Sequence, residues 1–378
     1  MQQEFFGYGS IEKLKDILNK YDPKNIFLIS GKKSFKLSGA EEKILSIIKN
    51  YNYTHFNSFS SNPNLEDIKQ GISLFKQNSH DLTITVGGGS AIDIGKTINA
   101  LAFQKNDPEL YVQNKKSLKI KGMPLIAIPI TSGTGSESTH FATIYINKIK
   151  YSLSSEEIIL PTIAIIDPSL TESMPKYLTA VTGLDALCQG IESIWAIKST
   201  KESIKYGKEA VKLAYNTIEK AVKNPDKNSR IKMAKAANLS GKAINISKTT
   251  ASHSISYPIT SHFNVAHGQA VAITMPEMIQ YNYDTSEKDC NDPRGIDFVK
   301  KRLSEIIRLT NSSNQIEAKK NFKNLMKKID IETKLNRLNI DEKGIELILK
   351  EGFTPNRMNN NPRKMKRENL EKILRKIL

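Results

Sequence analysis

The 378-residue sequence predicts an α/β domain built on a parallel sheet, followed by a domain made only of helices. Three observations carry that prediction. Short β-branched runs alternate with amphipathic segments up to residue 168, the strand runs stop after Pro168, and 3.6-residue periodicity takes over from there. Strands are expected at NIFLIS (25–30), LTITV (82–86), PLIAIPI (124–130) and TIAIID (162–167). Each is short and rich in apolar and β-branched residues, which suits burial on both faces of a parallel sheet. IEKLKDILNKY, GAEEKILSIIKNY and NLEDIKQGISLFKQ read as helices between the strands. From PKYLTAVTGLDALCQGIESIWA onward nearly every segment has helical periodicity. The domains are therefore expected at 1–168, binding a dinucleotide, and 169–378, binding metal and substrate, with a cleft between them as the natural ligand site.

Composition narrows the class. Hydrophobic content of 39% and charged content of 25% suit a soluble globular chain. No apolar run approaches the ~18 residues that cross a bilayer, so no membrane association is expected. The opening MQQEFFGYGS has neither a basic nor an apolar signal region. Two cysteines, Cys188 and Cys290, make no disulfide framework, and a cytoplasmic location is expected. The net charge of +17 comes from scattered lysines, with a denser patch at Lys364, Lys366 and Arg367. No aromatic-interleaved basic stripe or zinc-finger spacing accompanies it, so no nucleic-acid partner is expected. Attraction of small anions is the simpler consequence.

Two loops could hold a cofactor. DLTITVGGGSAIDIGKTINAL is a strand, then Gly87-Gly88-Gly89-Ser90, then a helix expected to begin near Ala91. Glycines permit close backbone approach, and the free N–H groups of a helix start bind an anion; a tight βα turn explains the same glycines. A second strand ends in PITSGTGSEST (129–139), with Thr131, Ser132, Thr134 and Thr139. Two such loops at the carboxyl ends of parallel strands point to a dinucleotide. After the first strand, where an NAD site usually places an acid, stand Gly31, Lys32, Lys33 and Ser34. The missing acid and the added charge favour NADPH, with NADH possible; a surface lysine pair is the alternative.

In the helical half, GLDALCQGIES puts Asp185 and Gln189 four apart on one helix face. A carboxylate amid Leu184, Ala186 and Leu187 wants a cation. His253 and His267 in HSISYPITSHFNVAHG could join it, with Gln189 as a weak fourth ligand, in a site suited to Fe²⁺ or Zn²⁺. Ordinary core histidines are the competing explanation. His262, in the same stretch, is expected to be structural.

The stretches FFGYGSIEKL, GGGSAIDIGK, PITSGTGSEST, IIDPSLTESMPKYLTAVTGLDAL and ASHSISYPITSHFNVAHG, in order and followed by NPR at 361–363, resemble the iron-containing (group III) alcohol dehydrogenases. The resemblance implies a Rossmann-like first domain, a helical second domain as in dehydroquinate synthase-like proteins, one divalent metal, and a homodimer. The family's ligand pattern of one Asp and three His falls on Asp185, Gln189, His253 and His267, with Gln where His is usual. The remaining Asp-His-His set is similar to the zinc site of glycerol dehydrogenases. A family histidine linked to proton delivery falls on Tyr257, so Tyr257 and His267 are the expected catalytic residues. Gly31, Ser34, Asn62, Gly88, Gly89, Ser90, Asp93 and Lys150, with the hydroxyl residues of the second loop, are expected on the cofactor side.

Within the family, GLDALCQGIES, INISKTTASHSISYPITSHF and NRMNNNPR are most similar to phosphonoacetaldehyde reductases. A phosphonate needs cations and hydroxyl donors, and Lys248, Thr249 and Arg357 are placed to supply them. Separately, each could be a solvated helix end, an N-cap or a loop salt bridge. The expected reaction is NAD(P)H-dependent, metal-assisted reduction of a small anionic aldehyde to a primary alcohol, phosphonoacetaldehyde to 2-hydroxyethylphosphonate. A general alcohol or diol dehydrogenase with an uncharged substrate, and a non-catalytic binding protein on the same fold, are the alternatives.

Overall fold

The structure, a computed structural model, describes residues 2–378. It divides into two compact units, Met1–Met174 and Pro175–Leu378.

The first unit is built on strands β1 (Gln3–Phe6), β2 (Asn25–Ser30), β3 (Asn52–Phe56), β4 (Leu82–Gly87) and β5 (Leu125–Pro129), with a hairpin β6 (Phe141–Ile146) and β7 (Ile149–Ser154), then β8 (Ile163–Ile166). Six of these form one parallel sheet in the order β1-β8-β5-β4-β2-β3. Helices α1 (Lys13–Tyr21), α2 (Ala40–Ile48), α3 (Leu65–Lys76) and α4 (Gly89–Leu101) connect the strands. Two apolar clusters result. One joins Leu14, Leu18 and Ile44 to Ile26, Leu28, Ile84 and Ile126 of the sheet. The other joins Phe27 and Ile29 to Ile68, Phe75 and Ile98. Alternate residues of β2 thus serve opposite clusters, which is why residues 26 to 29 form an unbroken apolar run.

The expected strands form, and four more appear. β1 and β3 are the sheet's edges, each paired on one side only, so their sequences QEFF and NYTHF carry less apolar signal. The hairpin turns at Asn147 and Lys148, both with positive φ (49° and 66°), the pair of left-handed residues that a two-residue turn requires. Helix α4 begins at Gly89, two residues before the expected Ala91.

The second unit has no named strand and is a packing of helices α5 (Lys176–Trp195), α6 (Lys201–Lys223), α7 (Lys227–Ser247), α8 (Ala251–Phe263), α9 (His267–Ala272), α10 (Met275–Tyr283), α11 (Ile296–Leu309), α12 (Gln315–Lys328), α13 (Glu342–Glu351) and α14 (Arg367–Lys376). Capping boxes start α6 at Thr200 and α7 at Asp226. The central element is α5, buried at every position from Gly183 to Trp195. A helix buried all round lies in the middle of a core, and polar side chains on it must find partners there. Among the described residues, no helix is long and apolar enough to cross a membrane.

Candidate metal centre and cofactor loops

Along α5, Asp185, Gln189 and Glu192 fall at i, i+4 and i+7, on one face, and all three are buried. Burying two carboxylates is costly unless each is paired. Glu192 is fully buried and takes its partners from the first turn of α8. Its Oε1 accepts from Thr250 Oγ1 (2.8 Å) and Ser252 N (2.9 Å), and its Oε2 accepts from Thr250 N (3.0 Å). The same Oε2 lies 2.5 Å from His253 Nδ1. Thr250, the N-cap residue, makes no side-chain cap of its own, so α5 supplies the cap of α8. Trp195 Nε1 donates to Thr250 Oγ1 (2.9 Å) and completes the joint.

With Nδ1 on Glu192, the other ring nitrogen of His253 faces Asp185 Oδ1 at 3.5 Å. His267 opens α9, and its ring meets that of His253 at a centroid distance of 5.5 Å. This approach depends on the next residue. A Cβ at Gly268 would lie 1.8 Å from the carbonyl oxygen of Val181 and 3.1 Å from Asp185 Cβ, so only glycine lets α9 rest against the α5 backbone. One ligand atom from each of Asp185, His253 and His267 then lies within 4.8 Å of the others. Burial opposes protonation of His253, but the carboxylates of Glu192 and Asp185 outweigh it and raise its pKa. The pocket therefore draws positive charge. A carboxylate and two imidazoles gathered around a point that favours a cation fit a divalent ion with bonds of about 2.1 Å, and suit Fe²⁺ and Zn²⁺ alike. Gln189 stands beside this set with its Oε1 accepting from Ser240 Oγ (3.0 Å).

Tyr257, one turn beyond His253, stacks on His267 (6.4 Å between centroids, 21° between planes). Its hydroxyl accepts from Arg357 Nε (3.3 Å), carried by the short helix Pro355–Met358. Lys248 ends α7 with φ 59° and ψ 177°, a conformation costly for any residue with a side chain. Asn360 holds the segment in that shape, donating to Ser247 O (2.9 Å) and Thr249 O (3.0 Å). The stretch carrying Lys248 and Thr249 is thereby tied to the stretch carrying Arg357. His262 instead pairs with Glu351 (2.8 Å) at the surface. His55 bonds Ser30 Oγ, His80 bonds Phe75 O, and His140 faces Glu156; none joins a ligand set among the described residues.

In the first unit the two expected loops meet. A Cβ on Gly88 would touch Thr131 at 3.4 Å, and one on Gly89 would collide with Thr134 at 2.7 Å. The glycines thus make room for the second loop. Ser90 Oγ donates to Ser61 O, next to Asn62. Gly31 follows β2, where a Cβ would fall 2.3 Å from Ser34 Oγ; Lys32, Lys33 and Ser34 are exposed. Ser132 is buried in the second loop, and Lys150, paired with Tyr145 across the hairpin, acts electrostatically on Asp93.

Asp93 and Thr139 are committed within the protein. Asp93 Oδ1 accepts from Ser136 Oγ (2.5 Å) and Oδ2 from Thr143 N (2.8 Å). Beneath them Lys96, fully buried, donates to Ser136 Oγ (2.9 Å), Thr139 Oγ1 (2.9 Å) and Phe141 O (3.1 Å). Burial pushes the Lys96 ammonium down to about 8, although Asp93 and Glu137 pull the other way. Sequence reasoning missed Lys96 and Glu192. The signal for each was helical spacing from a residue already singled out, three after Asp93 and seven after Asp185.

Comparison with known proteins gives two family matches that together span nearly the whole chain. Residues 2–168 match the family model for iron-containing alcohol dehydrogenase, and residues 179–378 match the model for the C-terminal part of the Fe-containing alcohol dehydrogenase family. A phosphonoacetaldehyde reductase from Streptomyces viridochromogenes is 32% identical over 302 residues, 78% of this chain and 75% of that protein. An NADPH-dependent butanol dehydrogenase from Clostridium saccharobutylicum is 28% identical, over 98% of this chain and 94% of that protein. The crystal structure of a sulfoacetaldehyde reductase from Bifidobacterium kashiwanohense in complex with NAD⁺ superposes with a TM-score of 0.89 at 27% identity, covering 100% of this chain and 96% of that one.

Proposed function

The chain belongs to the iron-containing alcohol dehydrogenase family, a metal- and nicotinamide-dependent oxidoreductase, and on that premise we propose that it reduces a short aldehyde bearing a tetrahedral anion. Phosphonoacetaldehyde, reduced to 2-hydroxyethylphosphonate with NADPH, is the substrate we assign. The observation that carries this reading is the chain of contacts from Arg357 through Tyr257 to His267. It sets a guanidinium one side chain away from a metal ligand. Arginine has five donors in a fork that matches phosphonate and sulfonate oxygens, and the bond to Tyr257 uses one. Two of the similar proteins are named for aldehydes that carry such a group.

Asp185, His253 and His267 would hold a divalent ion, which would supply Lewis acidity, and a bound nicotinamide would supply hydride. The chain's own residues do the rest. Arg357, Lys248 and Thr249 hold the anion, fixing the orientation of the carbonyl two carbons away. The Tyr257 hydroxyl, or a water beside it, gives the proton that completes the alcohol. Gly31, with no carboxylate to repel a 2′-phosphate, and the neighbouring Lys32 and Lys33 favour NADPH.

A general alcohol dehydrogenase acting on uncharged aldehydes is the second reading, favoured by the near full-length similarity to the butanol dehydrogenase. Steady-state rates for phosphonoacetaldehyde, sulfoacetaldehyde, propanal and butanal, each with NADPH and NADH, separate the two. The proposal expects the anionic aldehydes to have the higher kcat/KM. A preference for propanal or butanal overturns the substrate and leaves the reductase.

A further inference from the structure

We infer that Glu192 is a positioning residue for the metal, holding His253 so that Nε2 and not Nδ1 meets the ion, and so joining a metal ligand to the turn that holds the substrate. The inference rests on the metal reading above and goes beyond it, since Glu192 itself is no ligand. Its two oxygens divide between two tasks. Oε1 takes the Thr250 hydroxyl and the Ser252 amide, which is enough to cap α8. Oε2 takes the Thr250 amide and His253 Nδ1, the latter at 2.5 Å. An ionised carboxylate only accepts, so Nδ1 keeps a proton, and in the neutral ring that would meet an ion the lone pair is left to Nε2. That nitrogen is the one facing Asp185 at 3.5 Å.

The charge count points the same way. Asp185 and Glu192 are both buried, and together they balance one divalent ion. A helix cap alone does not call for a fully buried carboxylate, because Thr250 already stands at the N-cap position and a hydroxyl can do that work. The residues between Lys248 and His253 form one short stretch, anchored by Asn360 at Thr249 and by Glu192 at Thr250, Ser252 and His253. A shift of Glu192 would therefore move the ligand and the substrate contacts together.

The test uses the full-length protein stripped of metal and titrated with Co²⁺ or Zn²⁺ in competition with a chelator. Glu192→Gln keeps the shape but loses one acceptor, and its affinity for the ion is expected to fall roughly 10- to 100-fold. Thr250→Val disturbs the same helix end without touching His253, so it should lower Tm while holding affinity within about threefold of the parent. Equal affinity in the parent and in Glu192→Gln, or equal losses in both variants, overturns the inference alone. Parent protein that binds no ion overturns the metal reading too. Histidine-selective ¹⁵N NMR of the zinc-loaded parent needs no variant: the metal should be on Nε2 of His253 with the proton on Nδ1, and metal on Nδ1 overturns the inference.

Discussion

Gln189 and Glu192 lie one and two turns beyond Asp185 on the same face of α5, and the contrast between them shows what a sequence reveals about a site. Gln189 drew attention because the family resemblance puts an imidazole there; the structure shows its oxygen already accepting from Ser240. Replacing it with His should tighten ion binding, since imidazole is a stronger ligand than an amide oxygen. An unchanged or weaker constant in a chelator competition would place residue 189 outside the ligand set. His267→Ala should strip the ion and abolish turnover; a variant that keeps both its metal content and its rate would show the ligand set to be wrong. Asp185, His253 and His267 were legible because a carboxylate in an apolar helix and two closely spaced histidines are local patterns. For Glu192 the sequence offers only the spacing of seven from Asp185; the partners that give it a role lie on another helix, 58 to 61 residues away.

Between elements, close approach decides what can meet. Gly268 lets α9 contact the α5 backbone, so Gly268→Ala should push His267 from Asp185 and lower both Tm and ion affinity. A variant with parental affinity would show that the helix can shift at no cost to the site. The strands at the sheet centre were evident from sequence because burial on both faces selects apolar and β-branched residues at successive positions. β1 and β3 escaped because edges need not be, and the hairpin because Asn147-Lys148 lacks the glycine that marks such turns. In the cofactor unit, Gly31→Asp puts a carboxylate beside an exposed Ser34 that can rotate away. Preference should swing toward NADH by about tenfold, or ~1.4 kcal/mol; a flat ratio of kcat/KM values would remove the argument for NADPH. Glu277 links α10 to α12 through Lys319 (2.6 Å) and Lys323 (2.8 Å). Burial would raise its pKa, but the two lysines prevail and lower it. Its contribution is therefore complete above the ordinary glutamate range and fades as pH falls through the lowered value. Glu277→Gln should cost about 1 kcal/mol at pH 7, with the lysines partly exposed. The Tm gap to the parent should close in acid below about pH 4; a gap that widens there contradicts the assignment.

For the molecule as a whole, 56 Lys and Arg against 39 Asp and Glu give a surface that attracts small anions. If the substrate is anionic, kcat/KM should fall as salt rises toward 0.5 M, where screening cuts the field within about 4 to 5 Å, and an uncharged aldehyde should show little change. Equal salt sensitivity for both would assign the charge to solubility. The partner of each charge had to come from the fold. Arg357 illustrates this: from sequence it is a candidate anion contact or a loop salt bridge, and the fold brings it to Tyr257 across 100 residues. The most direct test of the account is kcat/KM for phosphonoacetaldehyde and for propanal, measured with NADPH in the parent and in Arg357→Ala. Loss of a charge-assisted contact of ~1.5 to 3 kcal/mol predicts a fall of roughly tenfold to more than a hundredfold for the phosphonate and little change for propanal. Equal losses on both substrates would contradict it.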